Sequence, residues 1–323
     1  MTTAAHAGPV AVPETVAKAV PSTAVAGMVM ASVVVIWGLG PPVTKLISAP
    51  PLVGASVRFW LATPLIWGLM YATGRRATLA TLRHTALPGA LFGLNMIGVF
   101  AALQHASVAV LAVIQALQPG VVLLIAGPLL GERATRWHVA WTLVGVVGVS
   151  VVVLGGSPEV HTDAIGILLA LWSLMTFTLY YLLNRRARST TSIDPLAWMA
   201  GVTLFAGLTI TPIAVALSDA SDYRQLAGVD WLYLAFVGGV VGIVGHTMMS
   251  WAHRFIAASR SSLYLLAMNV VAISAAWPLH DEPITPLQAV GGVVVLGAVA
   301  AVLSRPASVR AAGRPSPTAA TSP

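Results

Sequence analysis

Apolar residues run along this chain in long blocks, separated at short intervals by clusters of charged residues, prolines and glycines. A helix needs about 20 predominantly apolar residues to cross a bilayer. Ten segments meet that length: 24–47, 52–73, 85–104, 107–130, 137–155, 164–184, 195–217, 231–252, 258–280 and 286–304. The connections are short and leave no room for a soluble domain. The pattern predicts an all-α integral membrane protein of ten transmembrane helices. Residues 1–23, rich in Ala, Thr, Pro and Val, read as a disordered lead, with a cleaved signal peptide as the alternative. Residues 305–323 read as a disordered basic tail.

Composition supports the membrane class. Of 323 residues, 57% are hydrophobic and 8% are charged, whereas a soluble domain carries about 25% charged residues. Cysteine is absent, which excludes disulfides, thiolate metal sites and a cysteine nucleophile. The net charge of +7 raises the question of nucleic acid, and the placement of the charges answers it. With the N-terminus inside, the inner loops and tails hold Lys18, Arg75, Arg76, Arg83, Arg133, Arg136, Arg185, Arg186, Arg188, Arg254, Arg260 and the tail arginines. The outer loops hold Arg224 as their one basic residue, with the acids Glu159, Asp163, Asp219, Asp222, Asp230, Asp281 and Glu282. This positive-inside pattern assigns the basic excess to topology and anionic lipid. It predicts cytoplasmic termini, with the bilayer, not nucleic acid, as the macromolecular surround; the Ala-, Val- and Gly-rich composition points to a cell inner membrane.

The chain repeats itself. "GPLLGE" at 127–132 and "WPLHDE" at 277–282 align Pro128 with Pro278, Leu129 with Leu279 and Glu132 with Glu282. The first motif closes the fourth predicted span and the second closes the ninth. Five spans per half is an odd number, so the second half is inverted relative to the first. The predicted units are therefore 24–155 and 164–304. Two inverted halves around a midplane site are a common build for secondary transporters.

Four stretches now carry a family resemblance: "WGLGPPVTK" (37–45), "VRFWLATPL" (57–65), "LQPGVVLLIAGPLLGER" (117–133) and the "HDE" that closes span 9. Through them the chain resembles the EamA-like transporters of the drug/metabolite transporter superfamily. The resemblance implies ten helices in two inverted five-helix repeats. It implies a central cavity lined mainly by spans 1, 3, 4, 6, 8 and 9, with spans 5 and 10 peripheral, and export or exchange of small metabolites. The second half departs from the pattern. Asn269 stands opposite Pro119, Asp281 replaces a glycine before Glu282, and Phe177 and Thr178 stand opposite the Trp-Gly of span 1.

Polar residues within the spans are the candidates for substrate contact. None of the ten acids falls at a predicted midplane, so coupling to protons falls to a histidine or to a carboxylate at a span end. His246 lies near the middle of span 8, on an α-helical face with Gly238 and Gly242. There it is either a charge switch or a neutral residue at a helix contact. Gln115 and Gln118 share a face of span 4. Together with Asn95 and Asn269 they serve either substrate or interhelical hydrogen bonds. Trp37, Tyr180 and Tyr264 are expected as cavity walls. Lys45 and Arg58 lie near the outer side, either snorkelling to the interface or reaching Asp281 and Glu282 as an outer gate. Glu132 is expected to cap a cytoplasmic helix end or to pair with Arg133 or Arg136. Trp37, Pro41 and Lys45 share one face of span 1, and the paired prolines predict a kink facing the bundle.

No phosphate-binding loop, metal-ligand spacing or cofactor motif is present, so no cofactor or metal is expected. The reading is a secondary transporter, not an enzyme, moving small organic metabolites such as amino acids or drug-like amphipathic compounds by alternating access. The alternatives are a membrane-embedded enzyme acting on lipid or a lipid-linked substrate, and a non-transporting accessory protein. A homodimer is compatible with the sequence and not required by it.

Overall fold

The computed structural model describes residues 23–132, 135–156 and 161–304. Most of the expected lead, the tail 305–323 and Arg133 lie outside them. Thr23 belongs to the first helix, not to the lead.

Nine helices are long and apolar enough to cross a membrane among the described residues. They are α1 (Ala24–Lys45), α2 (Pro51–Ala72), α3 (Leu79–Ala102), α4 (Val108–Leu130), α5 (Arg136–Leu154), α6 (Ala164–Thr190), α7 (Pro195–Leu217), α8 (Asp230–Ala252) and α9 (Ala258–His280). A shorter apolar helix, α10 (Pro286–Leu303), follows. The described residues form no strand; one isolated bridge joins Ala106 to Thr162. The chain is a multi-pass, all-helical membrane protein. Helices suit this setting because each backbone group is satisfied within its own segment, where lipid offers no partner.

Two helices exceed the expected spans. α3 begins at Leu79, not at 85, because the Thr78 hydroxyl accepts from the Thr81 N–H at 3.1 Å and starts the helix among polar residues. α6 continues past 184 to Thr190, carrying Arg185, Arg186 and Arg188 on a helical turn. Asp163, Asp194 and Thr285 cap α6, α7 and α10 through their side chains.

Four helices are interrupted inside their apolar stretch. α1 breaks at Leu39, after which Gly40–Lys45 restarts with prolines in its first turn, the helical position that needs no N–H. α4 breaks at Ala116 and Leu117, between Val108–Gln115 and Gln118–Leu130. α9 tightens to a 3₁₀ turn at Leu265–Ala267. α8 widens to a π-helix over Phe236–Gly245. The break in α1 corrects the single-face expectation: Trp37 is buried, while Pro41 and Lys45 are exposed.

The helices pack through small residues. On α3, Gly93 lies against Ala206 and Thr209 of α7, leaving no room for a Cβ. Without a hydrophobic drive between helices in lipid, such close backbone approach is what holds them together. α5 and α10 pack on each other, with Gly148 against Val294 and Val295. Polar contacts gather at two ends. The Lys45 end joins Ser48 to Asp230 (3.1 Å), His105 to Asp163 (2.9 Å) and Thr285 to the Gly155 carbonyl (3.0 Å). The Glu132 end joins Arg75 to Asp194 at 3.0 Å and Glu132 to α9.

Candidate functional site: an aromatic and histidine core between two ion pairs

Buried rings from three helices meet around His246 of α8. Trp37 of α1 lies 4.4 Å from the imidazole centroid, and Phe92 of α3 lies 4.8 Å from it. From α6, the Tyr180 hydroxyl shares a 2.9 Å hydrogen bond with His246 Nδ1. Phe92 and Tyr180 stack at 4.9 Å, and Phe177 sits 5.9 Å from Tyr180. Trp37, Phe92, Tyr180 and His246 are all buried.

The π-helix positions one wall of this cluster. Its i→i+5 pattern adds a residue per turn, so Gly238, Gly242 and His246 do not share the α-helical face that their spacing suggests. The Trp37 indole Nε1–H donates to the Val241 carbonyl at 3.2 Å, inside the widened segment. Gly245 is the close-approach position. A Cβ there would lie 2.5 Å from Trp37 Nε1.

The other expected residues divide into several groups. Asn95 Nδ2 donates to the Ser173 carbonyl (3.0 Å) and to its Oγ (2.8 Å), and Gln115 Nε2 donates to the same Oγ at 2.7 Å. These three residues tie α3, α4 and α6 together. Gln118 is buried, and its Nε2 has no partner among the described residues. Tyr264 packs its hydroxyl against Gly27 of α1, away from His246. Asn269 Nδ2 donates to Leu266 of its own helix at 3.3 Å. Asp281 ends α9 in a left-handed conformation (φ 54°) and makes no ion pair among the described residues.

The charged candidates separate. Lys45 Nζ pairs with Glu282 Oε1 at 2.5 Å, and the neighbouring His280 donates from Nε2 to the Pro42 carbonyl at 2.9 Å. The last turn of α1 is therefore latched to the last turn of α9. Arg58 is not part of that latch and does not snorkel. It turns inward, donating to Met96 Sδ at 3.0 Å, with its guanidinium 5.0 Å from the Phe59 ring centroid.

At the opposite end, Glu132 caps a helix end, one of its two expected roles, but its ion pair differs from the expected ones: Arg136 is not among its partners, and Arg133 lies outside the described residues. Glu132 accepts from Arg185 Nε at 3.3 Å, from the Ala258 and Ser259 N–H groups at 3.0 and 3.1 Å, and from Ser259 Oγ at 3.0 Å. It thus caps the start of α9, where Ala257 has no side chain able to do so. Arg185 also donates to the His253 carbonyl. The His253 ring is fully buried, edge-on to Tyr181 at 4.5 Å, with neither nitrogen partnered among the described residues. Burial and the neighbouring Arg185 and Arg188 hold its pKa well below the usual imidazole range.

Sequence reasoning missed Phe92, Phe177, Ser173, Arg185 and the burial of His253. A signal existed for α6: Ser173, Phe177, Tyr180, Asn184 and Arg188 follow helical spacing on one face, and all but Phe177 are fully or nearly fully buried.

Three comparisons bear on this architecture. The EamA-like transporter family model matches residues 25–154 and again residues 164–304. A curated protein of Archaeoglobus fulgidus, named only as an uncharacterized transporter, is 27% identical over 285 residues, covering 86% of this chain and 99% of that one. A solved crystal structure, described only as that of a protein, superposes with a TM-score of 0.71 at 20% identity, over 87% of this chain and 98% of the other. That likeness is one of fold. With the family matched across nearly the whole described length, this chain belongs to the EamA-like transporter family.

Proposed function

We propose that the protein is a secondary transporter of small organic solutes, an exporter or exchanger, working by alternating access between two inverted five-helix halves, 24–155 and 164–304. α10 is the tenth span in this reading. The Glu132 end, where Arg75, Arg76, Arg136, Arg185 and Arg254 gather, is cytoplasmic by the positive-inside rule.

One observation carries the proposal. The two ends of the bundle are held by ion pairs that correspond under the repeat. The alignment that sets Trp37 opposite Phe177 also sets Lys45 opposite Arg185, and the Pro-Leu motif sets Glu282 opposite Glu132. Lys45–Glu282 joins the first helix of one half to the fourth of the other, and Arg185–Glu132 does the same with the halves exchanged. Two matches of one family model to one chain support the same reading. Each pair is a gate: breaking one opens the central cluster to one side while the other stays shut. With both made, the cluster is occluded.

The wall between the gates is Trp37, Phe92, Phe177, Tyr180 and His246, with Asn95, Gln115 and Gln118 beside it. His246 acts here as a ring and hydrogen-bonding wall. Its partners are Tyr180 and aromatic faces, and its described contacts include no carboxylate.

The absence of cysteine supplies a clean test. Single cysteines at Leu46 and Ala257, one per end, are labelled with a membrane-impermeant maleimide in oriented liposomes. A transported solute shifts labelling at the two positions in opposite directions, and solute counterflow accompanies it. Labelling that shifts in the same direction at both ends, with no flux of any solute and turnover of a lipid substrate, sinks the proposal.

A further inference from the structure

Beside the central cluster, Arg58 is a cation within a membrane span that has no ion-pair partner among the described residues. Arg58 sits two turns into α2, about 10 Å from its start at 1.5 Å per residue. It is half-buried, and no carboxylate is within ion-pair reach of it among the described residues. Its one described hydrogen bond is to the thioether of Met96, a weak acceptor. Ionisable groups within membrane spans ordinarily find a partner, and an unpaired one facing a cavity marks a substrate path.

Arg58 faces such a cavity. The space is about 20 Å³, bounded by Arg58, Phe59, Phe92, Met199, Thr203 and Gly238. It adjoins the cluster around His246 through two of its walls. Phe92 stacks on Tyr180, and Met199 Sδ lies 3.9 Å from the Tyr180 hydroxyl. The far wall belongs to the π-helix, where a Cβ at Gly238 would come within 3.1 Å of the Arg58 carbonyl. The cavity is the size of a single water. It therefore admits a solute only when the halves part, and methionines and a glycine-rich π segment are the surfaces that can yield.

We propose that Arg58 is the anchor for the carboxylate of a monoanionic substrate whose apolar or aromatic body lies against Phe59 and Phe92; this rests on the transporter reading above. A guanidinium presents two parallel N–H donors that match a carboxylate. The lining residues hold one cation and no acid, so a single negative charge is neutralised and an ammonium finds no anionic partner. The class is thus narrower than the amino acids and amphipathic compounds expected from sequence. It favours monocarboxylates over zwitterions.

The test compares phenylacetate with phenylacetamide, which has the same shape without the charge, on the full-length protein. Binding is read by thermal shift and competition, and flux in proteoliposomes. Phenylacetate is expected to bind at least about tenfold more tightly, the worth of one charge-assisted pair. Arg58→Gln is expected to bring that ratio close to one, and Arg58→Lys to keep part of it. Because the ratio is internal to each protein, a general loss of folding does not imitate the result. If Arg58→Gln fails to fold, the wild-type and Arg58→Lys ratios still decide. A wild-type ratio near one, an unchanged ratio in Arg58→Gln, or binding of neither probe overturns the proposal. Flux of ethidium or phenylacetamide without phenylacetate flux overturns the carboxylate assignment alone. Flux of no solute at all overturns the transporter reading beneath it.

Discussion

Glu132 lends itself to a quantitative test, because one carboxylate ties the ends of α4, α6 and α9 together. Glu132→Ala removes its bonds to Arg185 Nε, to two backbone N–H groups and to the Ser259 hydroxyl. Losing a helix cap costs about 0.5–2 kcal/mol. A hydrogen bond between charged groups is worth about 1.5–3 kcal/mol. The pair sits between the surface and the buried regime, with side-chain exposures of 16% for Arg185 and 13% for Glu132, so its lower range applies. The expected loss is about 3 kcal/mol, with about 1–1.5 kcal/mol of it coupled to Arg185. Glu132→Gln, which keeps one acceptor and loses the charge, falls between. The assay is reversible unfolding in mixed micelles, read as a double-mutant cycle of Glu132→Ala with Arg185→Ala, and a parallel cycle with Arg136→Ala. Flux is measured alongside, since under the proposed alternating access a weakened Glu132–Arg185 pair would favour the state open at that end. A loss below about 0.5 kcal/mol, or coupling to Arg136 as large as to Arg185, refutes the reasoning.

Other outcomes follow from the same geometry. Gly245→Ala drives a methyl into the Trp37 indole and is expected to cost about 1–3 kcal/mol, whereas Gly239→Ala meets no atom within 4 Å and leaves stability level or raised; equal melting temperatures for the two would count against the packing described. Lys45→Glu is expected to lower flux while changing stability little, because the Lys45–Glu282 pair is exposed (62% and 53%) and such pairs are worth about 0–1 kcal/mol; the swap Lys45→Glu with Glu282→Lys should restore flux, and failure of the swap removes the pair from gating. His253 is held neutral, so the unfolded state binds the extra proton. Stability is full above about pH 6.5 and declines as pH falls below it, by up to about 1.4 kcal/mol per pH unit. His253→Gln should flatten that slope, and an unchanged slope assigns it elsewhere.

The membrane class, the helices and their order were legible because each rests on local composition. An unbroken run of about 20 apolar residues fits a helix and not the shorter, alternating strand of a barrel, and α7 and α9 begin and end where the apolar blocks do. The ends that moved, at Leu79 and Thr190, moved because caps and arginines extend helices into polar sequence. The Pro-Leu repeat was also readable, as were Trp37, Tyr180 and His246 as candidates, since bulky or polar residues inside spans are few. What the sequence left undecided is who meets whom. Arg58 and Lys45 look alike in sequence, each a lone cation near one end of a span. Only packing turns Arg58 toward Phe59 and Met96 and sends Lys45 to Glu282. Glu132 sits next to Arg133 in sequence, and its carboxylate goes to Arg185 and the start of α9, residues brought near by the bundle alone. The π-helix is likewise a tertiary outcome. Glycines permit it in α8, and the Trp37 indole on Val241 shows it matched to a neighbouring helix. Local chain chemistry determines that a segment spans the membrane as a helix, because a lone apolar segment of that length can satisfy its backbone hydrogen bonds in lipid only within itself. Which face it turns inward, and which charge finds a partner, depend on helices far apart in sequence, and so on the tertiary structure.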